Sequence, residues 1–282
     1  MKRVLSIQDL SCVGRCSLTV ALPVLSAMGC QAVPLPTTLL STHTAFPAPY
    51  RRALTEDMVQ IAAHWAGQQV DFDAITVGYL AGPDQVRSVQ TVLEMFSGIV
   101  VVDPAMGDHG KLYSSLGPEQ VEAMAHLCRR GNVLLPNVTE AALLTGLPYR
   151  AQTDDSYLRE LLDGMLAFGA DAVVITGVSG GNGRIGFAGR DAHTDFFRYD
   201  APCIPRQFHG TGDLFCAVTT GALLRGFRLY DAAALAAGFV ERVAAATPQA
   251  TPFGVEFEPQ LPWLWEQMEL RGKTAFCCGV SE

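Results

Sequence analysis

The chain has 282 residues, 49% hydrophobic and only 17% charged, which excludes a disordered protein and provides enough apolar side chains for a large core. Its formal net charge is −8, and its basic residues form no cluster beyond pairs such as Arg51-Arg52 and Arg129-Arg130. Nucleic acid is therefore not expected as a partner, because displacing its counterions needs clustered positive charge.

Met1-Lys2-Arg3-Val4-Leu5 leads into no apolar leader with a cleavage site, and no apolar run reaches the roughly 18 residues that a membrane span needs. The eight cysteines (Cys12, Cys16, Cys30, Cys128, Cys203, Cys216, Cys277 and Cys278) are scattered along the chain. Without a secretory signal they read as reduced thiols in the cytoplasm.

Strand-like and helix-like segments alternate. Arg3–Gln8 reads as a strand, Cys16–Met28 as a helix and Cys30–Pro36 as a strand. Glu56–Gly67 is helical, Ala74–Leu80 a strand, Asp84–Phe96 a helix and Gly98–Val102 a strand. Next come helix Glu119–Arg130, strand Asn132–Leu135, helices Thr139–Leu144 and Tyr157–Phe168, and strand Ala172–Thr176. This rhythm predicts an α/β fold with a mostly parallel sheet covered by helices on both faces. Gly98–Val102 and Ala172–Thr176 lack period-2 alternation, as strands buried on both sides should. Arg184–Ala188 and Thr194–Tyr199 suggest a hairpin turning at Gly189-Arg190-Asp191, and helices Gly212–Arg225, Tyr230–Ala246 and Pro259–Leu270 follow. No linker or repeat interrupts the pattern, so one domain over 1–282 is expected.

Chemistry concentrates at a few strand and helix ends. In His209-Gly210-Thr211-Gly212-Asp213 small residues lead into an apolar helix, so the N–H groups of 210–212 can converge on phosphate oxygens. Asp213 in the first turn can take a proton from an attacking hydroxyl; the plain reading is a helix start with a stabilising Asp. Strand ends also carry Asp103 and Asp108, and Asn137 with Glu140, at the edge where open sheets bind ligands. Such oxygen donors suit Mg²⁺, and Asn137 with Glu140 also fits a capping box.

Other matches fail on context. Gly181-x-Gly183-x-x-Gly186 precedes a strand rather than a helix, and Gly272-Lys273-Thr274 lacks the upstream glycine of a phosphate loop. Gly177-Val178-Ser179-Gly180-Gly181 would offer Ser179 to a serine hydrolase, but no helix follows and the glycines suggest a loose loop.

Gly210–Asp213 together with Asp103-Pro104 and Asn137…Glu140 resembles the ribokinase-like superfamily. Val4-Leu5-Ser6-Ile7-Gln8, Val13-Gly14-Arg15, Ser41-Thr42-His43-Thr44, Gly78-Tyr79-Leu80 and Asp103–Asp108 sharpen this to the pyridoxal/pyridoxamine kinase family, over roughly residues 3–245. The resemblance implies a ribokinase-like fold, usually as a homodimer, in which ATP phosphorylates the 5′-hydroxymethyl group of a B6 vitamer. It implies Asp213 as general base and Gly210, Thr211 and Gly212 as the anion hole. Asp103 and Glu140 would hold Mg²⁺, with Asn137, Asp108 and Thr176 beside the ATP phosphates and potassium as a second cation. Thr44, Tyr79 and nearby His43 would meet the vitamer.

Asp9 departs from the family, whose members commonly carry a serine there beside the pyridine ring. An ionised Asp can only accept, so Asp9 is expected to favour a pyridinium; the plain alternative is a turn contact with a backbone amide. A hydroxymethylpyrimidine kinase of the same superfamily is the nearest rival. Such enzymes carry GTGC where this chain has Gly210-Thr211-Gly212-Asp213. A non-catalytic vitamer-binding protein would differ by consuming no ATP.

Overall fold

Strands apolar on both faces must be covered on both faces, and this requirement shapes the fold. The structure is a computed structural model; its described residues are 1–277 without 182, 207, 249 and 250, with side chains described through 270. In chain order the elements are β1 (Arg3–Ser11), α1 (Leu18–Ala27), β2 (Gln31–Leu40), β3 (Arg51–Ala53), α2 (Thr55–Gly67), β4 (Ala74–Val77) and α3 (Pro83–Leu93). Then follow β5 (Ile99–Val102), β6 (Gly107–Asp108), β7 (Lys111–Leu112), α4 (Glu119–Cys128), β8 (Val133–Leu134), α5 (Val138–Thr145), α6 (Asp155–Leu166) and β9 (Ala172–Gly181). The chain continues through β10 (Arg184–Asp191), β11 (Phe197–Pro202), α7 (Thr211–Leu224), α8 (Leu229–Ala246) and α9 (Leu261–Cys277).

A nine-stranded sheet runs β11-β10-β9-β8-β5-β4-β1-β2-β3. The six strands from β9 to β2 are parallel, while β10, β11 and β3 add antiparallel edges. Helices α1, α7, α8 and α9 pack on one face and α2 to α6 on the other. Alternate residues feed the two layers: in β9, Val174 joins the α1/α7/α8 core, while Val173 and Ile175 join the other.

Several boundaries differ from the sequence expectation for identifiable reasons. β3 was not anticipated because Arg51 and Arg52 are exposed and charged, as suits a strand at a sheet edge. The expected turn at Gly189-Arg190-Asp191 is strand instead. Gly189 sits against the Phe197 ring, where a Cβ would lie 2.4 Å from two ring carbons, so the strand runs past it. The chain turns after Asp191, whose carboxylate accepts from the backbone N–H of His193 (2.9 Å) and Thr194 (2.8 Å). The glycines around Ser179 form the end of β9 rather than a loose loop, and β10 follows where a nucleophile elbow would need a helix. Among the described residues the cysteines 12, 16, 30, 128, 203 and 216 are free thiols. Cys278 lies outside the described residues. No helix among them is long and apolar enough to cross a membrane.

Leu161 of α6 is fully buried in the α2–α6 layer. Leu161→Ala should lower the unfolding free energy by about 2–5 kcal/mol, because a cavity adds to the lost transfer term. A urea titration should show a lower midpoint at unchanged slope.

Candidate active site

The chain order around β1 reverses, since its neighbours are β2 on one side and β4 on the other. A crevice opens beyond the carboxyl ends of strands at such a point. Residues just past these ends are tied in sequence across the sheet. Gly78 N–H donates to Ile7 O (3.1 Å), Asp103 N–H to Val77 O (2.9 Å), Leu135 N–H to Val102 O (2.8 Å) and Thr176 N–H to Pro136 O (2.9 Å). Asp9, Tyr79, Asp103, Asn137 and Thr176 are thereby brought to one rim.

The N-terminus of α7 closes over this rim. Gly210 adopts φ 88° and its Cβ position lies 2.3 Å from the Arg15 carbonyl oxygen, so only glycine fits. No side chain caps the helix, which leaves the amides of the Thr211–Asp213 turn to an anion. A Cβ on Gly212 would lie 3.7 Å from Asp103 Oδ2, so the strand-end carboxylate stands close against the glycine turn.

Three carboxylates share this space. Burial pushes Asp213 up to about 6; a hydrogen bond from the Ser17 backbone N–H opposes this and the charge of Asp9 adds to it. Burial, then the charge of Asp213, raises Asp103 to about 8. Glu140 is pushed well above the usual carboxylate range by burial and by Asp103. Among the described residues no ion pair with Lys, Arg or His reaches Asp9, Asp103, Glu140 or Asp213.

Asn137 and Glu140 form the capping box and do more. The Asn137 side chain accepts from Glu140 N–H (2.9 Å) and donates to Gly107 O (2.8 Å). Glu140 accepts from the N–H groups of Asn137 (2.7 Å) and Met106 (3.1 Å). The box thus pins the Asp103–Asp108 segment to α5. Asp108 itself is exposed and accepts from the His109 N–H at 2.8 Å.

The residues expected near a vitamer are placed less uniformly. Tyr79 Oη lies 3.2 Å from Ser115 Oγ, and its ring lies 6.4 Å from that of Tyr113. Thr44 is exposed, in an irregular loop. His43 is buried with both ring nitrogens engaged: Nδ1 accepts from the Ala45 N–H (3.3 Å), and Nε2 lies 2.6 Å from Pro252 O as its donor. Its ring lies 5.1 Å from those of Phe46 and His209, and Phe46 lies 5.5 Å from Phe253. His43 therefore clasps the 43–50 loop to the 251–254 segment. Asp9 is buried, and its carboxylate accepts from Ser11 Oγ (3.0 Å) and Ser17 Oγ (2.5 Å), so hydroxyls of its own loop satisfy it rather than the next loop's amide.

Sequence reasoning missed Ser17 and Tyr113. The Tyr113 hydroxyl is pushed up by burial and by the charges of Glu140, Asp103, Asp108 and Asp213, which puts it in the field of the carboxylates. No local pattern announces that. Ser17 did carry a signal, as a serine directly before the apolar run of α1, but reading the helix as starting at Cys16 hid it.

The phosphomethylpyrimidine kinase family model matches residues 21–259. The chain is 31% identical over 263 residues to the pyridoxine/pyridoxal/pyridoxamine kinase of Bordetella avium, covering 86% of this chain and 85% of that protein. The solved pyridoxal kinase of Lactobacillus plantarum superposes with a TM-score of 0.88 at 36% identity, over 95% of this chain and 98% of that one. A Bacteroides thetaiotaomicron protein solved with pyridoxal superposes with a TM-score of 0.88 at 34% identity, over 95% of this chain and 96% of that one.

The carboxylates set the pH dependence of the metal-free protein. Asp103 and Asp213 have folded-state values raised above those of the unfolded chain. Their contribution is therefore fully present at low pH and is lost as pH rises through about 6 for Asp213 and about 8 for Asp103. In a chelator, the melting temperature should fall from about pH 4, where these acids ionise in the unfolded chain, to about pH 8. Asp103→Asn should flatten that slope; an unchanged slope would remove Asp103 as its source.

Proposed function

Because the chain belongs to the pyridoxal kinase family of the ribokinase-like superfamily, we propose that it transfers the γ-phosphoryl group of ATP to the 5′-hydroxymethyl group of a B6 vitamer. The observation that carries this reading is the placement of Asp213. Its carboxylate has its proton affinity raised to about 6 by burial, beside the uncapped amides of α7 and across from Asp103. A base tuned close to neutral pH is suited to accepting a hydroxyl proton.

In the reaction the vitamer hydroxyl oxygen forms the new bond to the γ-phosphorus, the bond to the bridging oxygen of ADP breaks, and Asp213 takes the hydroxyl proton. The amides of Gly210, Thr211 and Gly212 face the phosphoryl oxygens and stabilise their charge. Positioning by this preformed turn supplies much of the rate. Asp103, with Glu140 orienting its water, would hold Mg²⁺, which neutralises phosphate charge when bound. The residues fit such an ion. Their carboxylates are buried and lack a protein cation, and no three His, Cys, Asp or Glu side chains converge into a closed cage among the described residues. Mg²⁺ characteristically uses one or two carboxylates plus phosphates and water.

Asn137, Asp108 and Thr176 are assigned to the phosphate side, and Tyr79 and Thr44 to the vitamer, with His43 holding the loop that carries Thr44. Asp9, with both oxygens already accepting from hydroxyls, is assigned no ring contact. We read the protein as one cytoplasmic kinase domain over 1–282: one sheet joins the first and last strands, and the described thiols are free. The homodimer and a potassium ion rest on the family resemblance.

A hydroxymethylpyrimidine is the second substrate to test, since the matching family model is that of phosphomethylpyrimidine kinase. ATP turnover should be measured with pyridoxal, pyridoxamine, pyridoxine and hydroxymethylpyrimidine. The proposal expects the highest kcat/KM with a B6 vitamer and fails if the pyrimidine wins or nothing is phosphorylated. Asp213→Asn should reduce turnover by about 10²–10⁴-fold while ATP binding persists. Glu140→Gln places an amide donor where both oxygens now accept backbone N–H groups. It should raise the Mg²⁺ concentration for half-maximal rate; an unchanged Mg²⁺ dependence would leave Glu140 as a cap alone.

A further inference from the structure

Ser17 holds a conformation that ordinary residues avoid. Its φ is 50° and its ψ −127°, in the left-handed half of the map where a Cβ crowds the backbone. It is buried and directly precedes α1, where a serine normally turns its hydroxyl onto a helix amide. This hydroxyl makes no cap bond and reaches instead to Asp9 Oδ1, at 2.5 Å. The turn that carries Ser17 abuts the start of α7, with the Arg15 carbonyl against Gly210, and the Ser17 backbone N–H lowers the proton affinity of the Asp213 carboxylate there. One strained residue thus stands between two buried acids that share no direct bond.

The surroundings enforce the strain. Arg15 N–H donates to Phe253 O (2.8 Å), and the Arg15 carbonyl is flanked by Gly210 and Gly254, whose Cβ positions would lie 2.3 and 2.6 Å from it. Thr19 Oγ1 bonds the other side of the turn, accepting from Cys16 N–H (3.2 Å) and donating to Gly14 O (2.9 Å). Ser11 holds the second Asp9 oxygen at 3.0 Å, so Asp9 is itself fixed. Backbone strain persists only where neighbouring contacts over-determine it, and it concentrates at functional positions.

We propose that Ser17 is a positioning residue for phosphoryl transfer: Asp9 anchors its hydroxyl, and this keeps its backbone N–H directed at Asp213. The inference rests on the reading of Asp213 as general base. Asp9 then acts on the base through Ser17, which accounts for an acid at a position where the resemblance leads one to expect a serine. Neither Asp9 nor Ser17 needs to touch substrate.

The test is steady-state kinetics with ATP and pyridoxal on Asp9→Asn, Ser17→Ala, their double variant, Ser17→Gly and Asp213→Asn. Asp9→Asn and Ser17→Ala should each lower kcat about ten-fold, which corresponds to about 1.4 kcal/mol, with both KM values within about two-fold of native. The double variant should be no slower than the slower single variant, because both act along one chain of contacts. Ser17→Gly retains the N–H and accepts positive φ without strain, so it guards against misfolding. It should melt close to or above the native protein yet lose kcat about ten-fold, because nothing then ties the turn to Asp9.

Native kcat in Ser17→Gly, or multiplying effects in the double variant, would overturn the inference. So would a raised pyridoxal KM at unchanged kcat in Asp9→Asn, which would make Asp9 a ring contact. Near-native turnover in Asp213→Asn would remove the base assignment on which the inference stands. An inactive Asp213→Asn beside a fully active Ser17→Gly would refute the role of Ser17 alone.

Discussion

Three carboxyl groups whose ionised forms repel one another, Asp103, Glu140 and Asp213, are held together at one end of a parallel sheet. Each is raised in proton affinity first by burial and further by a neighbouring carboxylate: Asp213 for Asp103, Asp103 for Glu140 and Asp9 for Asp213. Such an arrangement is unfavourable in isolation and persists because well-formed structure surrounds it. The sheet supplies the frame by bonding each strand end to the next. The Asn137–Glu140 box supplies backbone donors, and α7 brings the positive end of its dipole. A cation bound among these acids would relieve the repulsion instead of adding to it.

Much of this was legible in the sequence for a physical reason. A strand buried on both faces has no polar alternation, and a helix that must approach phosphate needs glycine at its start. Gly98–Val102, Ala172–Thr176 and Gly210–Asp213 carry those marks locally. The capping box at Asn137 and Glu140 is likewise a matter of spacing along the chain. The mostly parallel sheet and the rim of acids follow from these.

What was not legible depends on contacts between distant segments. The turn misplaced at Gly189–Asp191 reflects a glycine retained for the Phe197 ring, which composition cannot distinguish from a glycine retained for a bend. β3 carries two arginines and no apolar pattern, yet pairs because β2 offers an open edge. Asp9 is expected at the pyridine ring only through the resemblance, because it stands where the family commonly carries a serine. Its partners Ser11 and Ser17 are close in sequence, but only the strained turn at Ser17 brings the second hydroxyl onto it. His43, expected near the vitamer by the resemblance, also bonds the backbone at Pro252, some two hundred residues away, which no local pattern announces.

The layering has a consequence for how the protein is made. β1 and α1 emerge first, and the apolar side of α1, with Val20, Val24 and Leu25, is completed by Leu214 and Val218 of α7 and by α9. Those helices leave the ribosome only after the whole parallel sheet has been synthesised. Until then, one face of the nascent sheet has only α1 as cover while the α2–α6 face can already close. The uncovered side is a sticky surface of the sort that chaperones engage on partly made chains. A ribosome stalled before α7 would thus hold a half-covered sheet without the glycine turn at Gly210–Gly212, so the completed site and protection from aggregation arrive together in the same late segment of translation.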